Sequence, residues 1–519
     1  MHRYTWFRRY LPVLLLLAVV LSACSSGGTG SSPGNGESTG GSAPKESQQP
    51  AEPEKPVEIE MVQIYGGGDL PAPEKDELLQ TINKTLNIDL KMGTFVSAED
   101  YQAQLNVRLA SGDFPDLFAI PDRKTYSEYA ATGVLLELTP YLDQLGPLRE
   151  FLGDELMETV TLGDKIYGTP KTKLAEQGSI WVRKDWLDRL QLDPPSTLEE
   201  FYQVAVAFTQ QDPDGNGQKD TMGLTGNGLG TFAPILASYG LGGIGVFQEK
   251  DGEVINTLYD PAMREALQYI KSLIDAGVVD PEFITNNNST SGQKLYEGRY
   301  GLVYIGWPII MKDEFVVQWK GVNPDAEWVQ VDALTGPGGK YVSGTSLSSN
   351  GGILGIPKAL EKDPVKLQKV FDLLNYSASE EGLRLSSYGI EGKHYNMENG
   401  EVVPTELMDK EGGYFYIYQF AGRPEMEYLH SKFKNQIPYI DFANEQPRIG
   451  TLDGFINYPT DMNTADANRY IQEEMLKFMY GTNSLDQYDQ FLATLEGTFG
   501  YKAIMEEAIR QLNELGFGK

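Results

Sequence analysis

The sequence predicts an α/β protein built from layered sheets and helices, with room for two domains. Strand-like and helix-like stretches interleave along the chain instead of segregating into blocks. At 519 residues the chain exceeds what a single core usually serves. Forty per cent hydrophobic residues, 11% aromatics, 56 glycines and 29 prolines describe a loop-rich globular protein.

The first element is a leader, MHRYTWFRRYLPVLLLLAVVLSAC. Arg3, Arg8 and Arg9 make a positive start, and residues 11–21 form an apolar run too short for a comfortable membrane span. A short transmembrane anchor is the competing reading. Leu21-Ser22-Ala23-Cys24 resembles a bacterial lipoprotein processing box. That resemblance implies a signal peptide over 1–23 and cleavage before Cys24, which would then carry the lipid anchor, palmitate included. Cys24 is the only cysteine, so no disulfide can form within the chain. Residues 25–56 contain no Leu, Ile, Val or aromatic residue, and the stretch 24–56 is expected to be a flexible, lipid-anchored linker. Gly30-Ser31-Ser32-Pro33-Gly34 matches GxSxG by composition alone, since neither strand nor helix frames it.

The folded body starts at Val57-Glu58-Ile59-Glu60-Met61-Val62, which alternates like a strand and runs into the turn Tyr65-Gly66-Gly67-Gly68-Asp69. Thr197-Leu198-Glu199-Glu200 is a capping box, with Phe201, Val204, Ala205 and Phe208 following at helical spacing. Asp260-Pro261 opens another helix, with Met263, Leu267, Ile270 and Ile274 on one face and Gly277 as its stop. No internal repeat is evident.

Charge and histidine count exclude some functions. Forty-three basic against 73 acidic residues leave −30, a surface that repels phosphate backbones and anionic headgroups. No nucleic-acid partner is expected, and membrane contact should come through the lipid anchor only. With one cysteine and three histidines, zinc sites built from these residues are nearly excluded.

One loop points to a metal. In DPDGNGQKDTMG, Asp212, Asp214 and Asn216 take the first, third and fifth positions of an EF-hand-like loop. Gly217 makes the turn, Gln218 offers its carbonyl at the seventh position, and Asp220 stands at the ninth. Gly223 replaces the usual bidentate glutamate at the twelfth. The competing reading is a metal-free turn of ordinary turn residues. A sensor is disfavoured, because sensing opens a helix pair and the segment after the loop, Thr221-Met222-Gly223-Leu224-Thr225-Gly226, is not helical. Structural Ca2+ is the expectation.

Several stretches together resemble the extracellular solute-binding protein family 1, the lipoprotein component of carbohydrate ABC importers. They include Leu109-Ala110-Ser111-Gly112-Asp113-Phe114-Pro115-Asp116-Leu117-Phe118, Gly133-Val134-Leu135-Leu136-Glu137-Leu138-Thr139-Pro140-Tyr141 and Ile180-Trp181-Val182-Arg183-Lys184-Asp185-Trp186-Leu187. Ala276-Gly277-Val278-Val279-Asp280-Pro281-Glu282-Phe283, Gly298-Arg299-Tyr300-Gly301-Leu302 and Gly352-Ile353-Leu354-Gly355-Ile356-Pro357-Lys358 continue the series. The loop at 212 and Tyr388-Gly389-Ile390-Glu391-Gly392-Lys393-His394-Tyr395 resemble the large calcium-loop branch of Gram-positive soil bacteria, related to alginate- and maltodextrin-binding proteins. The resemblance implies a two-lobed periplasmic-binding-protein-like fold with crossing hinge strands and a ligand cleft between the lobes. It places the first lobe at 57–170 and the second, with the calcium loop, at 171–348. Residues 349–385 would return to the first lobe, and 386–519 would form mainly second lobe and hinge. Crossings are expected near 169–173, 346–351 and 379–388. A monomer that captures an oligosaccharide and delivers it to ABC permease subunits at the outer face of the cell membrane is the implied function.

Sugars present hydroxyl edges and flat C–H faces, which aromatic plates, carboxylates and arginines recognise. Trp307, in Tyr304-Ile305-Gly306-Trp307-Pro308, resembles the family's aromatic plate, with burial in the core as the alternative. Asp122 and Arg123 resemble the hydroxyl-binding end of a strand over 116–120, or are an exposed pair. Phe232, Tyr65, Tyr388 and Glu391 lie on turns expected near the cleft, with structural roles as the alternative.

Two other function classes stay open. A surface glycosidase or lyase would need a carboxylate pair, in retaining glycosidases about 5–5.5 Å apart, and no local catalytic signature marks one. A sensor could use the same lobes without a transporter. Gly240-Leu241-Gly242-Gly243-Ile244-Gly245 matches GxGxxG but lacks a βαβ frame.

Overall fold

The computed structural model describes residues 55–66, 70–459 and 462–518. The leader, Cys24, the linker up to Glu54, the GxSxG match and the turn residues Gly67, Gly68 and Asp69 lie outside them.

Two sheets organise the described residues. The first has five strands in the order Ile88–Phe95, Val57–Ile64, Leu117–Ile120, Ile353–Gly355 and Gly168–Pro170. Its first three strands are parallel, and Ile353–Gly355 runs antiparallel to both neighbours. Parallel neighbours need crossovers, which the helices Glu77–Leu86 and Ala98–Ser111 supply. The opening strand keeps its alternation where it starts, with Ile59 and Met61 buried and Glu58 exposed.

The second sheet orders Trp328–Val331, Gly178–Arg183, Tyr300–Gly306 and Met222–Thr225. Successive side chains on its strands enter different cores, as a period of two requires. Ile180, Val182 and Leu302 join one cluster with Trp186, Phe208 and Leu267. Trp181, Val303 and Ile305 join another with Trp307, Tyr388 and Tyr428. The core of the first sheet forms around Leu78, Leu117, Leu354 and Phe371.

Both helices read from the sequence are present. Leu198–Gln210 carries the full capping box between Thr197 and Glu200 and buries Phe201, Val204, Ala205 and Phe208. Ala262–Asp275 follows Pro261 and buries Met263, Leu267 and Ile270, while Gly277 ends the segment at φ +68°. Among the described residues no helix is long and apolar enough to cross a membrane.

The chain passes between the sheets along two neighbouring segments. Residues 171–177 lead from Gly168–Pro170 to Gly178–Arg183, and residues 347–352 lead from Ser343–Ser346 to Ile353–Gly355. They are stitched together where the Lys171 amide donates to the Gly352 carbonyl at 2.9 Å and the Gly351 amide to the Lys171 carbonyl at 3.0 Å. The chain also comes back to the first core at Phe415, Ile417, Tyr418, Phe420 and Ala421. Tyr395 and Val402 before that return, and Tyr428 after it, pack on the second sheet's side. The sequence does not mark this return.

Candidate functional site

A cavity of about 350 Å³ opens beside the crossing segments, within the usual size of a small-molecule site. Lys171, Thr172 and Gly351 form its crossing wall, and Ser386 and Ser387 come from the end of the helix Glu380–Tyr388. Phe415 and Tyr416 come from the returning stretch, and Arg423, Tyr428 and Lys432 from the chain beyond it.

Aromatic rings of different exposure line it. Tyr416 is 42% exposed, whereas Tyr428 is 8% exposed. The Arg423 guanidinium sits 3.6 Å from the centre of the Tyr428 ring, and its Nε donates to Glu425 at 2.6 Å. Ser387, a buried residue of the lining, carries a hydroxyl with no hydrogen-bond partner among the described residues. Burial lowers the Lys171 ammonium from its ordinary range to about 8. Together these groups offer an aromatic surface, hydroxyls and positive charge. His394 and His430 pair with Glu411 and Asp441, and neither lines the cavity.

Three of the sequence-selected residues stand one layer behind this lining. The Tyr65 ring centre lies 5.5 Å from that of Tyr416, and Tyr388 lies 5.8 Å from Tyr428. Trp307 is 1% exposed and packs edge-on against Phe433, beside Lys432. It opens the helix Trp307–Met311 and points into the core, so it presents no face to a ligand here. Phe232 is fully buried against Phe283 in the core of the second sheet, where its apolar ring is enclosed. Asp122 caps the helix Arg123–Ala131 through the Thr125 amide at 2.7 Å. Arg123 donates to the Thr159 and Thr161 carbonyls and lies 5.5 Å from the Phe455 ring. Glu391 is exposed on the turn before the strand Tyr395–Glu398.

The lining residues Tyr416, Tyr428, Arg423 and Ser387 were not singled out from the sequence. One signal was available: Gly412-Gly413-Tyr414-Phe415-Tyr416-Ile417-Tyr418-Gln419-Phe420 packs five aromatics after two glycines. That run forms a 3-10 helix over Gly412–Tyr418, which turns Phe415 and Tyr418, three residues apart, to the core and leaves Tyr416 outside.

The 212 loop lies apart from this lining. The Asp212 carboxylate accepts from the Asn216 and Gly217 amides at 3.1 and 3.0 Å. The Asn216 side chain donates to Asp214 at 2.8 Å and to Asp220 at 3.2 Å, and the Gln218 amide donates to Asn216 at 2.7 Å. Burial raises the Asp214 carboxyl, and so does its hydrogen bond with Asp212. Against a burial that would raise it, hydrogen bonds from Asp214 and the loop amides hold Asp212 below the usual range. Among the described residues no group of three or more His, Cys, Asp or Glu side chains is gathered to hold a metal. The donor chemistry nevertheless suits a hard cation, since converging carboxylates are relieved by a divalent charge. Gly223 explains the missing twelfth ligand. A Cβ there would stand 2.6 Å from the Ala205 carbonyl oxygen and 2.8 Å from Ala205 Cα, so the helix Leu198–Gln210 leaves no room for any side chain.

Comparison with known proteins matches residues 75–383 to the model of the bacterial extracellular solute-binding proteins. The polygalacturonan/rhamnogalacturonan-binding protein YtcQ of Bacillus subtilis is 28% identical over 85% of this chain and 89% of its own. Lipoprotein LipO of the same organism is 25% identical over 85% and 89%. Among solved structures, the ABC-transporter substrate-binding protein FusA of Streptococcus pneumoniae in complex with kestose superposes with a TM-score of 0.64 at 17% identity, covering 88% of this chain and 99% of that one. A FusA EF-hand mutant bound to fructo-nystose gives 0.62 at 19%, with the same coverage. At these identities the structures bear on the fold alone, which they share as two-lobed binding proteins.

Proposed function

The chain belongs to the bacterial extracellular solute-binding proteins, and from that premise we propose that it captures an oligosaccharide beside its crossing segments and delivers it to an ABC importer. The observation that carries the reading is the cavity itself, lined from both sides by residues belonging to different cores and floored by the crossing chain. Phe415 belongs to the first core and Tyr428 to the second sheet's side, so hinge closure about 171–177 and 347–352 brings both against a sugar. Tyr416 offers the C–H face a plate, and Ser387 and Gln419 offer hydroxyl partners. The reaction is capture without turnover.

Tethering follows from the leader. Acylated Cys24 holds the protein at the outer face of the membrane, with 25–56 as the linker between anchor and folded body. Calcium in the 212 loop acts as a structural clip, held by Asp212, Asp214, Asn216, the Gln218 carbonyl and Asp220. Support comes from the donor spacing and from the likeness to FusA, of which an EF-hand mutant has been solved.

A thermal-shift screen of the protein in calcium buffer against plant and microbial oligosaccharides tests the reading. A ligand at a hundred times its Kd adds ~2.7 kcal/mol, a rise of a few degrees. A saturable rise with the sugar recovered intact is expected; recovery of cleaved sugar would make the protein an enzyme instead.

A further inference from the structure

The relatives leave the cargo's charge open, because polygalacturonan is a chain of uronic acids and the fructan kestose is neutral. The cavity speaks to it directly. Acidic residues outnumber basic ones 73 to 43 over the chain, yet among the described residues the cavity is lined by Lys171, Arg423 and Lys432 and by no Asp or Glu. Arg423 is neutralised by Glu425, whose side chain is 8% exposed. The two lysines are not. Lys432 donates to the Tyr428 hydroxyl at 3.1 Å and has no carboxylate partner among the described residues. Lys171 is only partly exposed, and its ammonium has no hydrogen-bond or ion-pair partner among the described residues.

An unpaired cation in a partly desolvated site is unfavourable until an anion meets it. Keeping two such cations in a strongly acidic protein makes sense if the anion arrives with the ligand. The buried hydroxyl of Ser387, a lining residue from the helix Glu380–Tyr388, is a second group that lacks its counterpart among the described residues. Resting on the oligosaccharide reading above, we propose that the cargo is an acidic oligosaccharide of the uronate class, its carboxylate received by Lys171 with Lys432 adding a second positive charge. The rest of the chain's acidity then serves selectivity as well. It repels free polyanions from the surface at large and leaves the cavity as the place where a carboxylate gains.

Titration calorimetry of the purified chain with short oligogalacturonates and oligoalginates, each beside its carboxyl-reduced neutral counterpart, tests this. An acidic member should bind at least about tenfold more tightly than its reduced counterpart, the scale of one charge-assisted hydrogen bond. Lys171→Gln and, separately, Lys432→Gln should weaken the acid more than the reduced sugar, with melting curves showing each variant folded. Equal binding of an acid and its reduced counterpart, or binding of neutral fructans where every acid fails, overturns the proposal and leaves sugar capture standing. No binding by any of these sugars, fructans included, overturns both.

Discussion

The Thr172 hydroxyl donates to the Arg423 carbonyl at 3.0 Å and accepts from the Arg423 amide at 2.9 Å, joining residues 251 apart in the chain. This reciprocal pair fastens the first crossing segment to the chain that leaves the first core beside the cavity. Gly422 makes the approach possible. Its φ is +88°, and a Cβ there would stand 2.0 Å from the Thr172 Oγ1.

Replacing Thr172 by valine keeps its shape and strands both Arg423 groups. Stability in a urea melt should fall by about 1–3 kcal/mol, and Thr172→Ser should recover most of it. Equal melts for the valine and serine variants would show that the hydroxyl carries nothing.

Supplying the absent twelfth ligand should fail. Gly223→Glu forces a Cβ into the Ala205 backbone, so the variant loses about 1–3 kcal/mol or more and gains no calcium affinity. Tighter calcium binding by a variant as stable as the parent would refute the packing argument.

Calcium removal should act on stability more than on chemistry. EDTA is expected to lower the Tm by a few degrees and added calcium to restore it, as for any ligand that binds only the folded state. Asp214→Ala should melt alike with and without EDTA. A parent melt indifferent to EDTA would leave the loop as a turn.

Lys171 sets a pH dependence whose sign can be worked out. The folded protein releases the Lys171 proton near pH 8, the unfolded chain near its ordinary 10.5. Between those values the unfolded chain binds more protons, so this group makes stability rise with pH there, and below about 8 its full cost remains. Among the described residues the other charged groups lining the cavity are Arg423, which Glu425 pairs, and Lys432. Lys171→Met should therefore be more stable than the parent at pH 7, with the gap closing between pH 8 and 10.5. Chemical denaturation at several pH values checks it; a gap that stays constant across that window counts against the burial of the ammonium.

Local patterns were legible. The capping box at Thr197 and Glu200, the stripe from Met263 to Ile270, and the alternation of the opening strand each depend on neighbours within one or two turns. Charge balance, the single cysteine and the spacing of Asp212, Asp214 and Asn216 are equally local or compositional. The order of motifs pointed to the family, and the match over 75–383 bears that out.

What the sequence by itself determined is therefore the fold class, the family and the start of several elements, because short-range periodicity and capping write these into neighbouring residues. Tertiary structure alone decided which aromatic rings and cations face the cavity. Tyr65 and Tyr416, or Trp307 and Lys432, are of types equally suited to a cleft, but one of each pair is covered by the other's element. Which side remains uncovered depends on contacts between segments hundreds of residues apart, such as Thr172 with Arg423, and no local pattern encodes that.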